Sequence, residues 1–376
     1  MSTVIDAHVH LWDPSRGDYG WLRPELTGLY RHIDVSELRT VTSGSGVDGV
    51  VLVQAAPTVA ESDYLLSIAE RASWILGVVG WLDFDDDRVE EAVAKRAARE
   101  KFVGVRPMLQ DLSDADWILA PNRGRALRAL ESNGLTFDAL IRPIHLSRME
   151  TVAQRFPALS LVIDHAAKAA IGESCDYSWL SGLRSLAANE NVVCKLSGLL
   201  TELIPGTSED KVIERSLQIL DLFGCSRVLW GSDWPVLTEA AAYDRWMMLT
   251  HRILGSMSAS ERAAVMGENA ARIYKLHPRI ASALILLHPD DNVLVCRRAV
   301  SIGEGALIGA GERLEILHDV ELGHKVARRK LAAGEKVIKY GAPIGSMTSP
   351  VPAGGWIHLH NMQSDYISAH TRAGNV

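Results

Sequence analysis

The chain has 376 residues, which allows one large and one small domain, and 47% of them are hydrophobic, as in globular proteins with a sizeable core. Its 39 basic and 46 acidic residues give a net charge of −7 without a basic stripe, which argues against nucleic-acid binding. No apolar run approaches the roughly 18 residues of a membrane span, and no signal peptide is visible. The four cysteines form no C-x-x-C pair, so we expect a cytoplasmic protein without disulfides.

Eight short apolar runs, about 32 residues apart, predict strands before residue 240. They cover roughly 4–10, 47–54, 75–83, 102–109, 136–142, 159–165, 191–197 and 227–233. Most of the intervals contain apolar residues at every third or fourth position, which is typical of helices. The clearest helical patterns are 61–73, 88–99, 123–132, 146–156 and 211–223. Strands that alternate with helices predict a parallel sheet.

Polar side chains follow the first, sixth and eighth predicted strands, at His8, Asp164-His165 and Asp233. In a (β/α)8 barrel the carboxyl ends of all strands meet in one site. We therefore expect an α/β fold with a TIM barrel over residues 1–278, and a doubly wound open sheet is the alternative. The long first connection, residues 11–33, is either a substrate loop or a flap that packs over the barrel rim.

The pattern changes after the helix that ends near Tyr274. His277-Pro278-Arg279 interrupts the helical period, and from residue 281 glycine becomes dense and the predicted strands become short. The strands expected here are 284–287, 293–296, 336–340 and 356–360. We predict a small all-β domain over 281–363 and a loose tail over 364–376.

His8 and His10 are two residues apart on a strand, so their side chains point to the same face. Such a pair can chelate a metal or bracket a carbonyl oxygen. Asp233 is the natural base, because an aspartate with a reference pKa of about 3.9 stays ionised at neutral pH even if burial raises that pKa by a unit or two. Arg106 and Arg142 can supply fixed positive charge near a forming oxyanion, although Arg106 could instead form a structural salt bridge.

Four motifs resemble those of the amidohydrolase superfamily, and most closely its sugar-lactonase branch of the L-fuconolactonase and L-rhamnonolactonase type. They are Asp6-Ala7-His8-Val9-His10, Val103-Gly104-Val105-Arg106, Val162-Ile163-Asp164-His165 and Trp230-Gly231-Ser232-Asp233-Trp234-Pro235. The resemblance covers residues 1 to about 276. It implies a TIM barrel that hydrolyses an aldonolactone, with Asp233 activating water and His8, His10 and His165 lining the reacting carbonyl.

Four further residues are candidates for binding a sugar. Lys168 and Lys195 could bind hydroxyl groups or be ordinary lysines of the barrel rim. Trp12 and Trp234 could stack on the apolar face of a sugar or pack within the rim. We expect Asp164 to orient its neighbours rather than to react.

One departure from the superfamily concerns metal. Metal-dependent decarboxylase relatives tend to have His-Pro at the end of strand five, whereas this chain has Arg142-Pro143, and a guanidinium is no metal ligand at neutral pH. We therefore expect no required cofactor, although His8, His10 and Asp233 could hold zinc or another divalent ion. A metal-dependent non-oxidative decarboxylase and a non-catalytic sugar-acid binding protein are the alternative functions.

The C-terminal region resembles the SAF-type, β-clip-like small domain of altronate and galactarate dehydratases. The motifs are Gly323-His324-Lys325-Val326-Ala327, Ala333-Gly334-Glu335-Lys336-Val337-Ile338-Lys339-Tyr340-Gly341, Pro343-Ile344-Gly345 and Trp356-Ile357-His358-Leu359-His360-Asn361. His324 and Lys325 either contribute to a shared active site or belong to a turn. Since dehydration follows lactone opening in sugar-acid catabolism, the fusion supports the lactonase interpretation. The partners expected are a sugar lactone and a dehydratase large subunit or a second protomer, with no nucleic acid and no membrane.

Overall fold

A computed structural model describes residues 3–172, 176–276, 283–297, 299–303, 305–308 and 312–365. The chain divides into two compact units, residues 1–278 and 279–376. The predicted break at His277-Pro278-Arg279, Cys175 and the predicted tail beyond residue 365 lie outside the described residues. Among the described residues, Cys194 and Cys225 are free thiols.

The first unit is a parallel barrel of eight strands that pair in sequence order. The strands are β1 Ile5–Val9, β2 Gly49–Val53, β3 Ile75–Gly80, β4 Phe102–Val105, β5 Thr136–Ala139, β6 Leu161–Ile163, β7 Val192–Leu196 and β8 Val228–Trp230. The first and last strands meet where the backbone N–H of Asp233 donates to the carbonyl of His8 at 2.8 Å, and Val9 bridges to Trp234. The predicted TIM barrel is thereby confirmed, and the doubly wound sheet is excluded.

Helices connect the strands and surround the barrel. They are α1 Val35–Gly44, α2 Val59–Ala69, α3 Val89–Ala97, α4 Arg123–Asn133, α5 Leu146–Arg155, α6 Tyr177–Ala187, α7 Asp210–Phe223, α8 Tyr243–Ile253, α9 Ala259–Ala263 and α10 Asn269–Ile273. All five predicted helical patterns fall on helices, to within about one turn at their ends. Gly134 ends α4 with a φ of 65°, which a glycine adopts without strain. Within the described residues no helix is long and apolar enough to cross a membrane.

The barrel interior has an apolar layer beneath a polar one. Alternate strand residues such as Ile5, Val79 and Val193 form the lower layer, and Tyr274 and Leu276 after α10 pack into it. The neighbouring strand residues face outward and pack against the helices. Because the lower layer is filled with aliphatic side chains, the polar groups near the carboxyl ends of the strands lie above a closed floor.

The first connection, residues 11–33, packs its large side chains inward. Trp12 is fully buried, its indole N–H donates to the carbonyl of Leu29 at 2.9 Å, and its backbone pairs with Ile33. The indole N–H of Trp21 donates to the carbonyl of Ala55 at 2.7 Å. These contacts tie the loop to the end of β2, so it has the character of a packing flap.

The second unit is built from short antiparallel strands. They are β9 Leu284–Ile285, β10 Val293–Cys296, β11 Gly305–Ile308, β12 Glu312–Glu315, β13 Lys325–Ala327, β14 Lys336–Lys339, β15 Ala342–Met347, β16 Trp356–Ile357 and β17 Met362–Gln363. One sheet has the order β16-β13-β10-β9, and smaller sheets pair β11 with β12 and place β15 between β14 and β17. All four predicted strands are found, two of them shortened to two residues. Five others were not predicted, because two-to-six-residue strands interrupted by glycine carry little periodicity.

Candidate active site

Two histidines and a carboxylate converge where β1 and β8 meet. His10 Nε2 lies 3.2 Å from His8 Nε2 and 3.2 Å from Asp233 Oδ1, and His8 Nε2 lies 3.6 Å from the same oxygen. At its other ring nitrogen, His10 Nδ1 lies 2.8 Å from the carbonyl oxygen of Val53. Since a carbonyl only accepts hydrogen bonds, His10 carries a proton on Nδ1.

The backbone of β1 and β8 is shaped to bring these groups together. A register shift after Asp6 lets this carboxylate face α8, where it accepts hydrogen bonds from Tyr243 Oη at 2.8 Å and the N–H of Ser232 at 2.9 Å. His8, two residues later, faces the barrel interior. Gly231 permits the close approach of β8, because a Cβ there would lie 2.8 Å from His8 Cβ.

The chain after β6 makes an unusual left-handed turn. Residues 165–168 all have φ between 48° and 64°, a region that costs roughly 1–2 kcal/mol for each residue with a side chain. The turn places His165 Nδ1 2.9 Å from Ser197 Oγ and His165 Nε2 3.7 Å from Asp233 Oδ1. A Cβ at Gly198 would lie 2.5 Å from His165 Nδ1, so only glycine fits beside this ring. Strain of this kind is typical of functional sites.

A buried ionic cluster lies beneath the histidines. The ammonium of Lys195 is 2.6 Å from Asp138 Oδ2, 3.0 Å from Asp164 Oδ1 and 3.1 Å from His8 Nδ1, and all four side chains are fully buried. The hydroxyl of Tyr274 donates to Asp138 Oδ2 from the floor of the barrel at 2.5 Å. Lys195 therefore hydrogen-bonds to Asp138 and His8 and forms an ion pair with Asp164.

Arg106 connects this cluster to β2. Its Nη2 donates to the carbonyl of Gln54, and the Gln54 amide donates back to the carbonyl of Arg106 at 2.5 Å. Its Nη1 lies 3.3 Å from Asp164 Oδ2 and 3.4 Å from His8 Nε2. Among the described residues Arg106 Nε has no hydrogen-bond partner, although it is buried. The guanidinium thus forms an ion pair with Asp164, and its Nε–H has no partner among the described residues.

Burial and mutual charge set the protonation states. Burial favours the protonated form of Asp233, but the three surrounding imidazoles outweigh it and hold the pKa of this carboxyl well below its usual range. Burial lowers the pKa of His165 to about 4. Burial and the ammonium of Lys195 lower the pKa of His8 well below its usual value, whereas Lys195 and His8 overcome burial and lower the pKa of Asp164. At neutral pH, the site holds an anionic Asp233 and neutral His8 and His165.

The three donor atoms at the end of β1 and β8 have the spacing that a metal needs. Tetrahedral ligands about 2.0–2.1 Å from zinc lie roughly 3.3 Å apart, close to the 3.2–3.6 Å separations of His8, His10 and Asp233. A second group of possible ligands is His8, Asp164 and His165. The tautomer of His10 also suits a metal. The surroundings of His8 do not suit a metal. A metal-bound histidine donates the N–H of its other ring nitrogen to an acceptor, whereas the neighbour of His8 Nδ1 is the cation of Lys195.

The predicted chemical groups are brought together, but the predicted sugar-binding residues are more dispersed. Trp12 is fully buried within the first connection, and Trp234 is 2% exposed, with its backbone N–H donating to Ser232 Oγ at 3.0 Å. Lys195 is fully buried, where its ammonium hydrogen-bonds to Asp138 and His8 and pairs with Asp164. Its predicted role in sugar binding stays a prediction. The roles predicted for Trp12 and Trp234 stay predictions.

Arg142 and Lys168 lie near the carboxyl ends of β5 and β6. Arg142 is exposed, and its backbone N–H donates to His145 Nδ1 at 3.2 Å. The Lys168 ammonium is 3.0 Å from Glu202 Oε1. Neither side chain has a described contact with His8, His10 or Asp233, and substrate binding by these two residues stays a prediction.

Several polar groups that shape the site were not predicted. Asp138 and Asp6 each interrupt an apolar run, and this interruption was a usable signal. Gln54 directly follows the apolar β2 and could have been found in the same way. Glu61, which accepts hydrogen bonds from the N–H groups of residues 55 and 56, lies in an ordinary helical pattern that carried no such signal. Tyr274 follows the last helix, and nothing in the sequence indicated that it reaches into the barrel.

The fold and the site define a class of hydrolytic TIM barrels. A model of the amidohydrolase family (Amidohydro_2) matches residues 5–276, and the chain belongs to this family. A second model, the altronate/galactarate dehydratase SAF domain, matches residues 282–365. The two similarities inferred from sequence motifs are thereby confirmed.

Particular relatives sharpen this assignment. An L-fucono-1,5-lactonase from Burkholderia ambifaria is 40% identical over 283 residues, which are 73% of this chain and 97% of the relative. A crystal structure of an amidohydrolase from Burkholderia multivorans with bound zinc is 33% identical, with a TM-score of 0.69, over 73% of this chain and all of that one. An altronate dehydratase from Bacillus subtilis is 34% identical over 83 residues, 22% of this chain and 16% of the relative.

Proposed function

We propose that the barrel is a hydrolase that opens a sugar lactone to the aldonic acid. The observation that carries the proposal is the anionic Asp233 surrounded by three imidazoles, with Arg106 next to His8, at the face where TIM-barrel enzymes bind substrates. The lactonase relative that matches almost end to end supports a lactone, and L-fucono-1,5-lactone is the first substrate to test.

In the proposed reaction, Asp233 removes a proton from a water molecule that attacks the lactone carbonyl. The electron pair of the carbonyl moves to its oxygen, which His8, His165 or Arg106 stabilises by donating hydrogen bonds. Collapse of this intermediate breaks the bond to the ring oxygen, which takes up the proton held by Asp233 and becomes the hydroxyl of the open acid. General-base help of this kind typically contributes about 10²–10⁴-fold.

A panel of aldono-1,4- and 1,5-lactones in a pH-indicator assay tests the proposal. We expect turnover of at least one lactone, with no release of CO2 from hydroxylated aromatic acids. Decarboxylation instead of lactone opening would identify the protein as a metal-dependent decarboxylase. Tight binding of a sugar acid without turnover of any lactone would identify it as a binding protein.

We further propose that hydrolysis needs no metal. The support is His8, whose Nδ1 faces the Lys195 ammonium, together with the exposed Arg142 where decarboxylases tend to carry a histidine ligand. Chelator-treated enzyme is therefore expected to keep most of its lactonase activity. Loss of activity on chelation, restored by zinc or manganese, would overturn this proposal.

The second unit is proposed to recruit the enzyme of the next step, a sugar-acid dehydratase large subunit. A (2R)-sulfolactate sulfo-lyase subunit alpha from Paracoccus pantotrophus is 44% identical over 52 residues, 78% of its own length, so there a similar region makes up most of a separate subunit. In this chain, Trp356 stacks on His358 and contacts His360 at a tilt, and Leu359 between the two histidines is 77% exposed. Co-purification with a dehydratase large subunit, lost on deleting residues 281–376, is expected. Retention without these residues would contradict the proposal.

A further inference from the structure

The two histidines of β1 have opposite surroundings at their ring nitrogens. His10 Nδ1 meets an acceptor, the carbonyl oxygen of Val53, at 2.8 Å. His8 Nδ1 meets a donor, the ammonium of Lys195, at 3.1 Å. An ammonium can only donate, so His8 Nδ1 must accept. A neutral imidazole carries one proton, and in His8 this proton is left for Nε2.

The surroundings of His8 Nε2 agree with this placement. Its nearest polar neighbour is His10 Nε2 at 3.2 Å, which holds a lone pair in the neutral imidazole with its proton on Nδ1. Asp233 Oδ1, another acceptor, follows at 3.6 Å. Two neighbours oppose the placement, each at a longer distance: Arg106 Nη1 is 3.4 Å from Nε2, and Asp164 Oδ1 is 3.5 Å from Nδ1. At each nitrogen the nearest group therefore favours the same tautomer.

We propose that Lys195 is a positioning residue that fixes His8 in its Nε2–H tautomer, so that His8 serves as a hydrogen-bond donor at the reacting carbonyl instead of a metal ligand. The inference rests on the proposed lactone hydrolysis for its catalytic meaning, but the tautomer itself does not. An N–H at Nε2 can stabilise an oxyanion. The same proton blocks the lone pair that a metal would need, because a ligating imidazole must be free at the coordinating nitrogen.

The geometry also indicates which change would allow His8 to adopt the Nδ1–H tautomer. The Lys195 ammonium contacts both His8 Nδ1 and Asp164 Oδ1, at 3.1 and 3.0 Å, and these two atoms are only 3.5 Å apart. Without the ammonium, His8 Nδ1 can donate to Asp164, and its Nε2 becomes a lone pair beside His10 Nε2 and Asp233 Oδ1. Histidines that bind zinc commonly donate their second N–H to a carboxylate in this way. Loss of such a partner typically costs about 10–100-fold in metal affinity. The Lys195 ammonium thus determines whether His8, His10 and Asp233 act on a carbonyl without a metal or bind zinc.

The first experiment needs no variant. A two-bond ¹H–¹⁵N correlation spectrum of metal-free, ¹⁵N-histidine-labelled protein reports which ring nitrogen carries the proton, and His8 is assigned by the loss of its signals in His8→Gln. We expect the Nε2–H pattern for His8 and the Nδ1–H pattern for His10 in the same spectrum. The Nδ1–H pattern for His8 would overturn the proposal.

The second experiment removes the donor. Lys195→Met alone would leave two buried carboxylates without their shared cation, so it is combined with Asp138→Asn. The double variant is expected to show the Nδ1–H pattern for His8 and to bind zinc at least ~10-fold more tightly in competition with a chromophoric chelator. Its zinc-free kcat is expected to fall while KM changes little. Unchanged zinc affinity and tautomer in a folded double variant would overturn the proposal.

Asp138→Asn by itself is the matched control, because it alters the opposite side of Lys195 and keeps the donor to His8. It should retain the Nε2–H pattern and the zinc affinity of the wild type. If it instead behaves like the double variant, the charge of Asp138 and not the donor of Lys195 sets the tautomer, and the assignment to Lys195 is wrong. Neither the spectrum nor the zinc titration uses a substrate. A protein with the expected tautomers that opens no lactone would therefore contradict the proposed function alone.

Discussion

The histidine cluster of the barrel and an exposed histidine of the C-terminal unit have opposite environments. In the barrel His8, His10 and His165 are at most 4% exposed, and each ring has a fixed partner. In the C-terminal unit His360 is exposed and touches Trp356 at a ring separation of 4.9 Å. Fixed, desolvated groups are suited to chemistry, because they need no reorganisation during the reaction. Exposed aromatic groups are suited to binding. The difference suggests that the barrel carries the reaction and the second unit carries a contact.

The largest effect is expected from Asp233→Asn, which keeps the shape of the side chain but removes the base. We expect kcat to fall by at least about 10²-fold with the fold intact by circular dichroism. Glu239→Gln is the matched control, because Glu239 is an exposed carboxylate in the same connection after β8, and its activity should stay near that of the wild type. Near-normal turnover by a folded Asp233→Asn protein would remove Asp233 from the mechanism.

The next effect concerns the space around His165. Gly198 and Gly206 both have positive φ, 63° and 87°, but only a Cβ at Gly198 would approach His165 and Asp233, at 2.5 and 3.1 Å. Either Gly→Ala change should lower the free energy of unfolding by about 1 kcal/mol or more through backbone strain. Only Gly198→Ala should also lower kcat, by roughly tenfold or more, because it displaces a reacting group. Equal kcat values in the two variants would show that the position of His165 does not matter for turnover.

The sequence was sufficient for the barrel because its strands are buried on both sides and read as continuous apolar runs. It was less informative at the strand ends. The run 159–165 was predicted as one strand, but β6 ends at Ile163, and the next residues form a left-handed turn that no local propensity favours. The partners of Lys195 were not predictable, since they depend on which residues of β1, β5 and β6 lie at the same height across the barrel.

A smaller effect is expected at Glu61, whose pKa shift changes the stability of the fold with pH in the opposite direction to that of His165. Burial raises the pKa of Glu61 to about 7, although the N–H groups of Ala55 and Ala56 oppose this shift. The folded protein then binds more protons at Glu61 than the unfolded chain between pH 4.5 and 7, so this residue makes stability fall as pH rises. Relative to Glu61→Gln, the wild type should lose on the order of 3 kcal/mol of unfolding free energy across that interval.

Chemical denaturation of both proteins at several pH values measures this difference, and the comparison cancels the opposite contribution of His165, whose pKa is lowered to about 4. Glu91→Gln, at an exposed position of α3, is the control and should follow the wild type. A pH-independent difference between wild type and Glu61→Gln would show that Glu61 is ionised throughout.

The smallest effect is expected from removing the second unit, and it tests the comparison most directly. The groups that converge at the site all precede residue 234, while Tyr274 and Leu276 pack into the barrel floor and Tyr274 donates to Asp138. A chain that ends at Leu276 should therefore keep kcat within about twofold. A chain that ends three residues earlier, at Ile273, loses the Tyr274 hydroxyl and its buried ring, and it should be destabilised by about 3 kcal/mol or more. If the longer truncated chain is folded but inactive, the second unit completes the lactonase site, and the separation between chemistry in the barrel and contact in the C-terminal unit is wrong.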